Sequence, residues 1–292
     1  DLGGALRQAY GRGNATPEVI HAGMDVFLHN GWGKEHMELP AIDVHLLGDA
    51  DAAVTELLTL LADRPQRAAQ PTPPGAADIH EDDSCINLRH VARALAKAVD
   101  NQPVTFSGLP RGWPGDLWPH HDPLAYLGKD GGGGIGSGPG LAIGAALALR
   151  DSGRISVGVL GDGDCLMGIN ALWTAARYEI PVLFIISNNR SYYNDELHQE
   201  GVARLRNRNP ANRWIGQTVD HPAPDIAKLA EAQGLMGIGP VKRMEDLEHA
   251  IARGVECVRG GRPCLIDVHI DPGHGRHVRD SAGDRPVTKG GQ

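Results

Sequence analysis

Two apolar runs, Arg154-Ile155-Ser156-Val157-Gly158-Val159-Leu160 and Pro181-Val182-Leu183-Phe184-Ile185-Ile186, flank a segment long enough for one helix. Neither run alternates polar with apolar residues. A strand of that kind is buried on both faces, which confines it to a parallel sheet covered by helices. Parallel neighbours need a crossover, and Gly168 to Tyr178 reads as a helical one. The segment therefore predicts a βαβ unit. Pro103 to Phe106 and Cys264 to Ile270 read as further strands. Leu88 to Val99, Leu141 to Leu149, Asp225 to Gln233 and Glu245 to Arg259 read as helices, the third closed by Gly234. The expected fold class is α/β: a doubly wound parallel sheet with helices on both faces.

The rest of the chain divides by composition. Residues 1–62 read as strand, loop, strand and helix. The strands are expected over Val19 to Gly23 and Ala41 to Leu46, and the helix over Asp51 to Leu61, with Val54, Leu57, Leu58 and Leu61 at helical spacing. Such a piece is too small for a comfortable core of its own. Residues 63–85 hold Pro65, Pro71, Pro73, Pro74 and Gly75, then Glu81-Asp82-Asp83, and read as a solvated linker. Residues 86–271 form the main domain, and 272–292 a tail without apolar periodicity.

Charge and composition exclude several functions. The balance of 28 Lys+Arg against 36 Asp+Glu gives a net charge of −8, which argues against a nucleic-acid partner. No apolar run approaches the roughly 20 residues that cross a bilayer, so no membrane partner is expected. Cys85, Cys165, Cys257 and Cys264 show neither CxxC nor zinc spacing, and reduced thiols in a cytoplasmic protein are expected. The first residues, Asp1-Leu2-Gly3-Gly4, are neither a signal peptide nor an initiator methionine, and read as a start inside a larger unit.

Ligands of open parallel sheets sit beyond the carboxyl ends of the strands. There, Gly161-Asp162-Gly163-Asp164 follows the first apolar run as a tight turn, and Asn188-Asn189 follows the second. A carboxylate, an amide oxygen and a backbone carbonyl are hard donors suited to Mg²⁺ or Ca²⁺. Gly161 and Gly163 leave backbone N–H groups open, and the following helix turns its positive end to the same place. A divalent cation beside free N–H groups suits a diphosphate, whose oxygens would complete the metal's octahedron. Taken singly, each motif is also a common turn. Gly131, Gly133 and Gly136 spell a GxGxxG, but no apolar strand precedes them, and no GxxxxGK[ST] occurs.

The GDG, the helix-and-strand spacer and the NN together resemble the thiamine-diphosphate (ThDP) enzymes. The segment Gly133-Gly134-Ile135-Gly136-Ser137-Gly138-Pro139-Gly140-Leu141 is similar to the glycine loop of the acetolactate synthase and benzoylformate decarboxylase group. The resemblance implies the ThDP-binding fold, preceded by the C-terminal portion of a middle domain at 1–62. It implies Mg²⁺ held by Asp162, the Asn189 side chain and the Ser191 carbonyl, and diphosphate held by the amides of Gly163 and Asp164. Ile135 would wedge between the cofactor's two rings, and the Gly133 carbonyl would accept from the aminopyrimidine. Asp195 and His121 are the candidate catalytic groups, and Tyr192 and Tyr193 either line the pocket or pack. His269, His274 and His277 resemble a metal cluster by composition but are expected to be solvated.

The implied reaction makes or breaks a C–C bond next to a carbonyl, with 2-keto acid decarboxylation or carboligation first. A 2-hydroxyacyl-CoA lyase is the alternative, with Arg204, Arg206, Arg208 and Arg213 as candidates for CoA phosphates and the tail as a lid. A non-catalytic regulatory subunit is the alternative of another class. The resemblance further implies a partner chain or fragment carrying the pyrimidine-binding domain and its glutamate, in a dimer or tetramer of such pairs.

Overall fold

The computed structural model describes residues 18–23, 42–64, 85–118, 120, 122–128 and 134–270. The chain divides into two compact units, 1–75 and 76–292.

In the first unit, strands β1 (Ile20–Gly23) and β2 (Val44–Leu47) pair in parallel, with Ile20 opposite Val44. Helix α1 (Ala50–Leu61) follows, its first turn capped by Asp49, whose carboxylate accepts from the Asp51 amide at 2.8 Å. The expected apolar stripe forms but is not covered: no residue of α1 is buried, and Val54, Leu57, Leu58 and Leu61 are exposed. Two strands and one helix present more apolar surface than they can bury among themselves.

The second unit begins with helix α2 (Leu88–Val99) and strand β3 (Val104–Phe106). Helix α3 (Gly138–Ala148) leads into strand β4 (Ile155–Gly161). Short helices α4 (Asp162–Met167) and α5 (Leu172–Arg177) then cross to strand β5 (Val182–Asn188). Helix α6 (Tyr193–Leu205), helix α7 (Ile226–Ala232), strand β6 (Met236–Val241), helix α8 (Met244–Arg259) and strand β7 (Cys264–His269) complete it. The five strands are all parallel, in the order β3-β4-β5-β7-β6.

The helices divide between the two faces, as the fold class requires. On one, Val91 and Leu95 of α2 and Leu247, Ile251 and Val255 of α8 pack with Val157, Leu183 and Ile185. On the other, Ala142 and Ile143 of α3, Leu172 of α5 and Ile226 of α7 pack with Leu160, Phe184 and Ile186. The central strands carry apolar side chains on both faces, which is why their runs show no alternation.

Two local expectations are corrected. The Gly161–Asp164 segment is not a free turn: Gly161 ends β4, and Asp162 opens α4. Nor is 168–178 one helix. Gly168 instead ends α4, where the glycine loop crosses: a Cβ on Gly168 would strike the Gly136 carbonyl and stand 3.0 Å from the Pro139 ring. A 3₁₀ turn at Ile169–Ala171 then restarts the helix.

Asn87 caps α2 by accepting from the amides of Arg89 (2.9 Å) and His90 (3.1 Å), while His90 Nδ1 accepts from the Asn87 amide at 3.2 Å. Asn87→Ala removes half of this reciprocal cap. It should cost about 1 kcal/mol, read as a lower denaturation midpoint with an unchanged denaturant slope.

Candidate cofactor site

The site lies at the carboxyl ends of β4, β5 and β7. Register places Gly161 beside Ser187, and Asn188 beside His269, so the residues after β4 and β5 are neighbours. Asp162 is 2% exposed, and its Oδ2 is buried with no hydrogen-bond partner. Burial pushes its carboxyl up to about 6, while the backbone amides of Gly163, Arg190 and Ser191 pull against that rise. A buried carboxylate oxygen left unpaired is costly, and a cation is the partner that would remove the cost.

The chain after β5 makes a tight polar turn. Arg190 adopts a left-handed conformation (φ 60°). Its amide donates to Asn188 Oδ1 at 3.1 Å, and the Ser191 amide donates to Asn189 Oδ1 at 3.0 Å. The Ser191 hydroxyl donates to the buried Glu196 carboxylate, and also lies 3.3 Å from the Gln217 carbonyl. These contacts bring 190–191 against Asp162. Asn189 and Ser191 are half-buried at the same strand end.

The other candidates fall as follows. A Cβ on Gly163 would press into the Tyr192 ring, whose Cδ1 would stand 2.7 Å away, so Tyr192 packs over the backbone at this glycine. The Asp164 side chain turns back to the glycine loop, its Oδ1 accepting from the amides of Gly136 (2.6 Å) and Gly138 (3.4 Å). Ile135 is 48% exposed at the turn preceding α3. Asp195 is half-buried in the first turn of α6. Gly133 and His121 lie outside the described residues, as do His274, His277 and the tail. His120 stacks on Tyr126, their ring centres 5.6 Å apart.

His269 is not solvated: it ends β7, close to the Arg190 guanidinium (Nδ1 to Nη1 3.3 Å). Burial, then Arg190 and Lys242, hold its imidazole below the usual range. Among the described residues, no group of three or more His, Cys, Asp or Glu could hold a metal. A metal here would rest on one carboxylate with amide and carbonyl oxygens, a hard set that fits Mg²⁺. Two of the four arginines after the NN are already engaged: Arg204 and Arg213 both pair with Glu200. Burial raises the Glu200 carboxyl, but these two guanidinium groups more than offset it.

Sequence reasoning missed Asp267, a carboxylate 1% exposed in β7. Its Oδ1 accepts from Asn188 Nδ2 at 2.9 Å, and its Oδ2 is 3.9 Å from His269 Nε2. Burial raises it to about 6, against the Asn188 bond that lowers it. The folded-state value is above the unfolded one. Its contribution is therefore fully present below about pH 4 and is lost as pH rises through 6. Relative to Asp267→Asn, the unaltered chain should lose about 1.4 kcal/mol of stability between pH 5 and pH 7.5. Denaturant titrations of both at the two pH values, without added metal, would measure this. A gap independent of pH would refute it.

Comparison with known proteins places the chain in a class. The family model for the thiamine pyrophosphate enzyme C-terminal TPP binding domain matches residues 107–268, more than half of the chain. The chain belongs to the thiamine pyrophosphate enzymes, through that domain. Over 154 residues it is 32% identical to the acetolactate synthase isozyme 3 large subunit of Escherichia coli (strain K12), covering 53% of this chain and 25% of that protein. Over 144 residues it is 32% identical to benzoylformate decarboxylase of Pseudomonas aeruginosa, covering 47% of this chain and 23% of that one. Its fold matches the ThDP-dependent 4-hydroxybenzoylformate decarboxylase of Rhodococcus jostii RHA1, with a TM-score of 0.61 and 24% identity over 93% of this chain and 50% of that one. It also matches benzoylformate decarboxylase from Polynucleobacter necessarius, with a TM-score of 0.65 and 20% identity over 88% of this chain and 46% of that one. The chain thus spans about half the length of these solved relatives.

Proposed function

We propose that this chain is the ThDP-binding half of an enzyme that makes or breaks a C–C bond next to a carbonyl, acting on a 2-keto acid by decarboxylation or carboligation. The observation that carries the reading is the buried, unpartnered Oδ2 of Asp162 at the ends of β4 and β5. Mg²⁺ would be held by Asp162, the Asn189 side chain and the Ser191 carbonyl. The amides of Gly163 and Asp164 would face the diphosphate, the Gly133 carbonyl would accept from the aminopyrimidine, and Ile135 would fix the cofactor's bend. When bound, the cofactor supplies a nucleophilic carbon and an electron sink for a carbonyl substrate.

The chain's own groups then bind, orient and move protons. Asp195, half-buried at the start of α6, is the candidate proton donor, with His121 as a second. Residues 1–62 are read as the C-terminal portion of a middle domain, 63–85 as a linker and 272–292 as a tail or lid. The exposed leucines of α1 support a unit whose remaining shell lies elsewhere. A chain or fragment with the pyrimidine-binding domain would complete the site, in a dimer or tetramer of such pairs. Among the described residues, no helix is long and apolar enough to cross a membrane, and a cytoplasmic location is proposed. The engagement of Arg204 and Arg213 by Glu200 weighs against the CoA-lyase alternative.

Calorimetry with ThDP and Mg²⁺, on the chain alone and with its co-purifying partner, tests the binding. Product analysis with 2-keto acids against 2-hydroxyacyl-CoAs tests the reaction. Mg²⁺-dependent ThDP uptake by the assembly, with CO₂ release from a 2-keto acid, is expected. A complete assembly indifferent to ThDP would overturn the reading and favour the non-catalytic alternative.

A further inference from the structure

Three strand ends are tied by one run of contacts that the proposed chemistry does not use. Asp267 Oδ1 in β7 accepts from Asn188 Nδ2 in β5 at 2.9 Å. Asn188 Oδ1 accepts from the Arg190 amide at 3.1 Å. That amide, with those of Gly163 and Ser191, acts on the Asp162 carboxyl after β4. Asp267 and Asn188 are 1% and 3% exposed, so neither can exchange its partner for bulk water.

A carboxylate only accepts hydrogen bonds, whereas an amide has one accepting and one donating end. With a carboxylate on one side, the Asn188 amide must present its NH₂ there. Its oxygen must then face the Arg190 amide. The flipped amide would set donor against donor at Arg190 and acceptor against acceptor at Asp267. Arg190 holds a left-handed backbone (φ 60°), which a residue with a Cβ adopts only when its surroundings require it. A buried charge is also an expensive choice in a strand where it lies among Cys264, Leu265, Ile266 and Val268. Close backbone approach reinforces the placement: a Cβ on Gly239 would stand 2.7 Å from the Asp267 carbonyl.

We infer that Asp267 is a positioning residue: by fixing which way the Asn188 amide faces, it holds the 189–191 turn in the shape that delivers the Asn189 and Ser191 oxygens to Asp162. It touches neither metal nor cofactor. The inference rests on the Mg²⁺ site proposed above, and deepens it by one layer of contacts. Partners of this kind typically change metal affinity by about 10–100-fold when removed.

The test is an exchange of the two groups. In N188D, two carboxylates face each other across β5 and β7, and Mg²⁺ affinity in the presence of ThDP should fall at least about tenfold. In D267N, the amide at 267 can turn together with that of Asn188, so the flipped arrangement conflicts only at Arg190 instead of at both ends, and affinity should fall about threefold to tenfold. In the double variant N188D/D267N, the amide at 267 donates to the carboxylate at 188, whose other oxygen accepts from Arg190. Only one arrangement is again allowed, and affinity should return to within about twofold of the unaltered chain.

Affinities are read by calorimetry in the complete assembly. Hydrogen exchange of peptides covering 189–192, without metal or cofactor, should show faster exchange in both single variants and restored protection in the double. A purely structural effect would lower thermal midpoints without this pattern of loss and rescue. Single variants that bind like the unaltered chain overturn the inference. So does a double variant that stays weak, or that fails to fold while D267N folds. If the unaltered assembly binds no ThDP, the proposed function fails as well; if it binds while the substitutions change nothing, only the positioning role fails.

Discussion

Asp162→Asn is expected to weaken Mg²⁺-dependent ThDP binding at least about 100-fold, a loss near 2.7 kcal/mol. The carboxylate is the one anionic group among the proposed ligands, and Mg²⁺ sheds water reluctantly, so neutral oxygens alone hold it poorly. The substitution keeps the shape of the side chain. The Asp162 site is 2% exposed, and its neighbours leave Oδ2 without a partner, so the folded chain bears the carboxylate at a cost. Removing that charge should therefore raise the thermal midpoint of the metal-free protein, while the binding measurement collapses. Opposite signs in the two experiments would mark a group retained for a ligand rather than for the fold. An Asp162→Asn variant that binds ThDP with Mg²⁺ as tightly as the unaltered chain would remove the basis of the proposed site.

How much of this was legible beforehand follows from what each residue does locally. The strands β4, β5 and β7 were readable because burial on both faces leaves mainly apolar residues, and that pattern needs no tertiary knowledge. The doubly wound sheet followed from them. Strand β6 was not readable: Met236-Gly237-Ile238-Gly239-Pro240-Val241 contains two glycines and a proline, and its pairing with β7 shifts register between Ile238 and Val241. Helix α6 was missed for the converse reason. Its buried residues are Glu196 and Glu200, so the face it turns inward carries charge, and it is held by Ser191 and Arg213 rather than by an apolar stripe. The break at Gly168 depends on the glycine loop crossing it, a contact thirty residues away in sequence that no local pattern encodes.

Among the candidate site residues, Asp162, Asn188 and Asn189 stood out because small polar residues directly after apolar strands are conspicuous. Asp267 sits inside such a strand, where a single acid reads as noise. The available signal was its place: a carboxylate near the end of a central parallel strand is expensive unless something meets it. His269 shows the same difficulty. Grouped with His274 and His277 it looked like part of a polar tail, yet it closes the last strand, against Arg190 and Asp267.

The glycines of α3 allow a prediction of comparable size to that at Asp162, because three of them share one helix and differ only in what lies beyond the missing Cβ. A Cβ on Gly138 would land on Asp164 Oδ2 and stand 2.8 Å from Leu160 Cδ2. Leu160 is buried in β4 and cannot withdraw, so Asp164 must move. Moving it releases the Gly136 and Gly138 amides that it holds, and the glycine loop loses its anchor to α4. Gly138→Ala should therefore cost about 2–3 kcal/mol, a fall of roughly 5–10 °C in the thermal midpoint of a unit this size. Since the loop carries Ile135, ThDP affinity should fall with it. At Gly140 and Gly144, by contrast, a Cβ meets nothing within 4 Å, and alanine is the better helix former. Those two substitutions should leave ThDP binding unchanged and raise stability by about 0.5–1 kcal/mol each. If all three behave alike, the close approach of Asp164 to the loop is not what holds it, and helix propensity alone would account for the series.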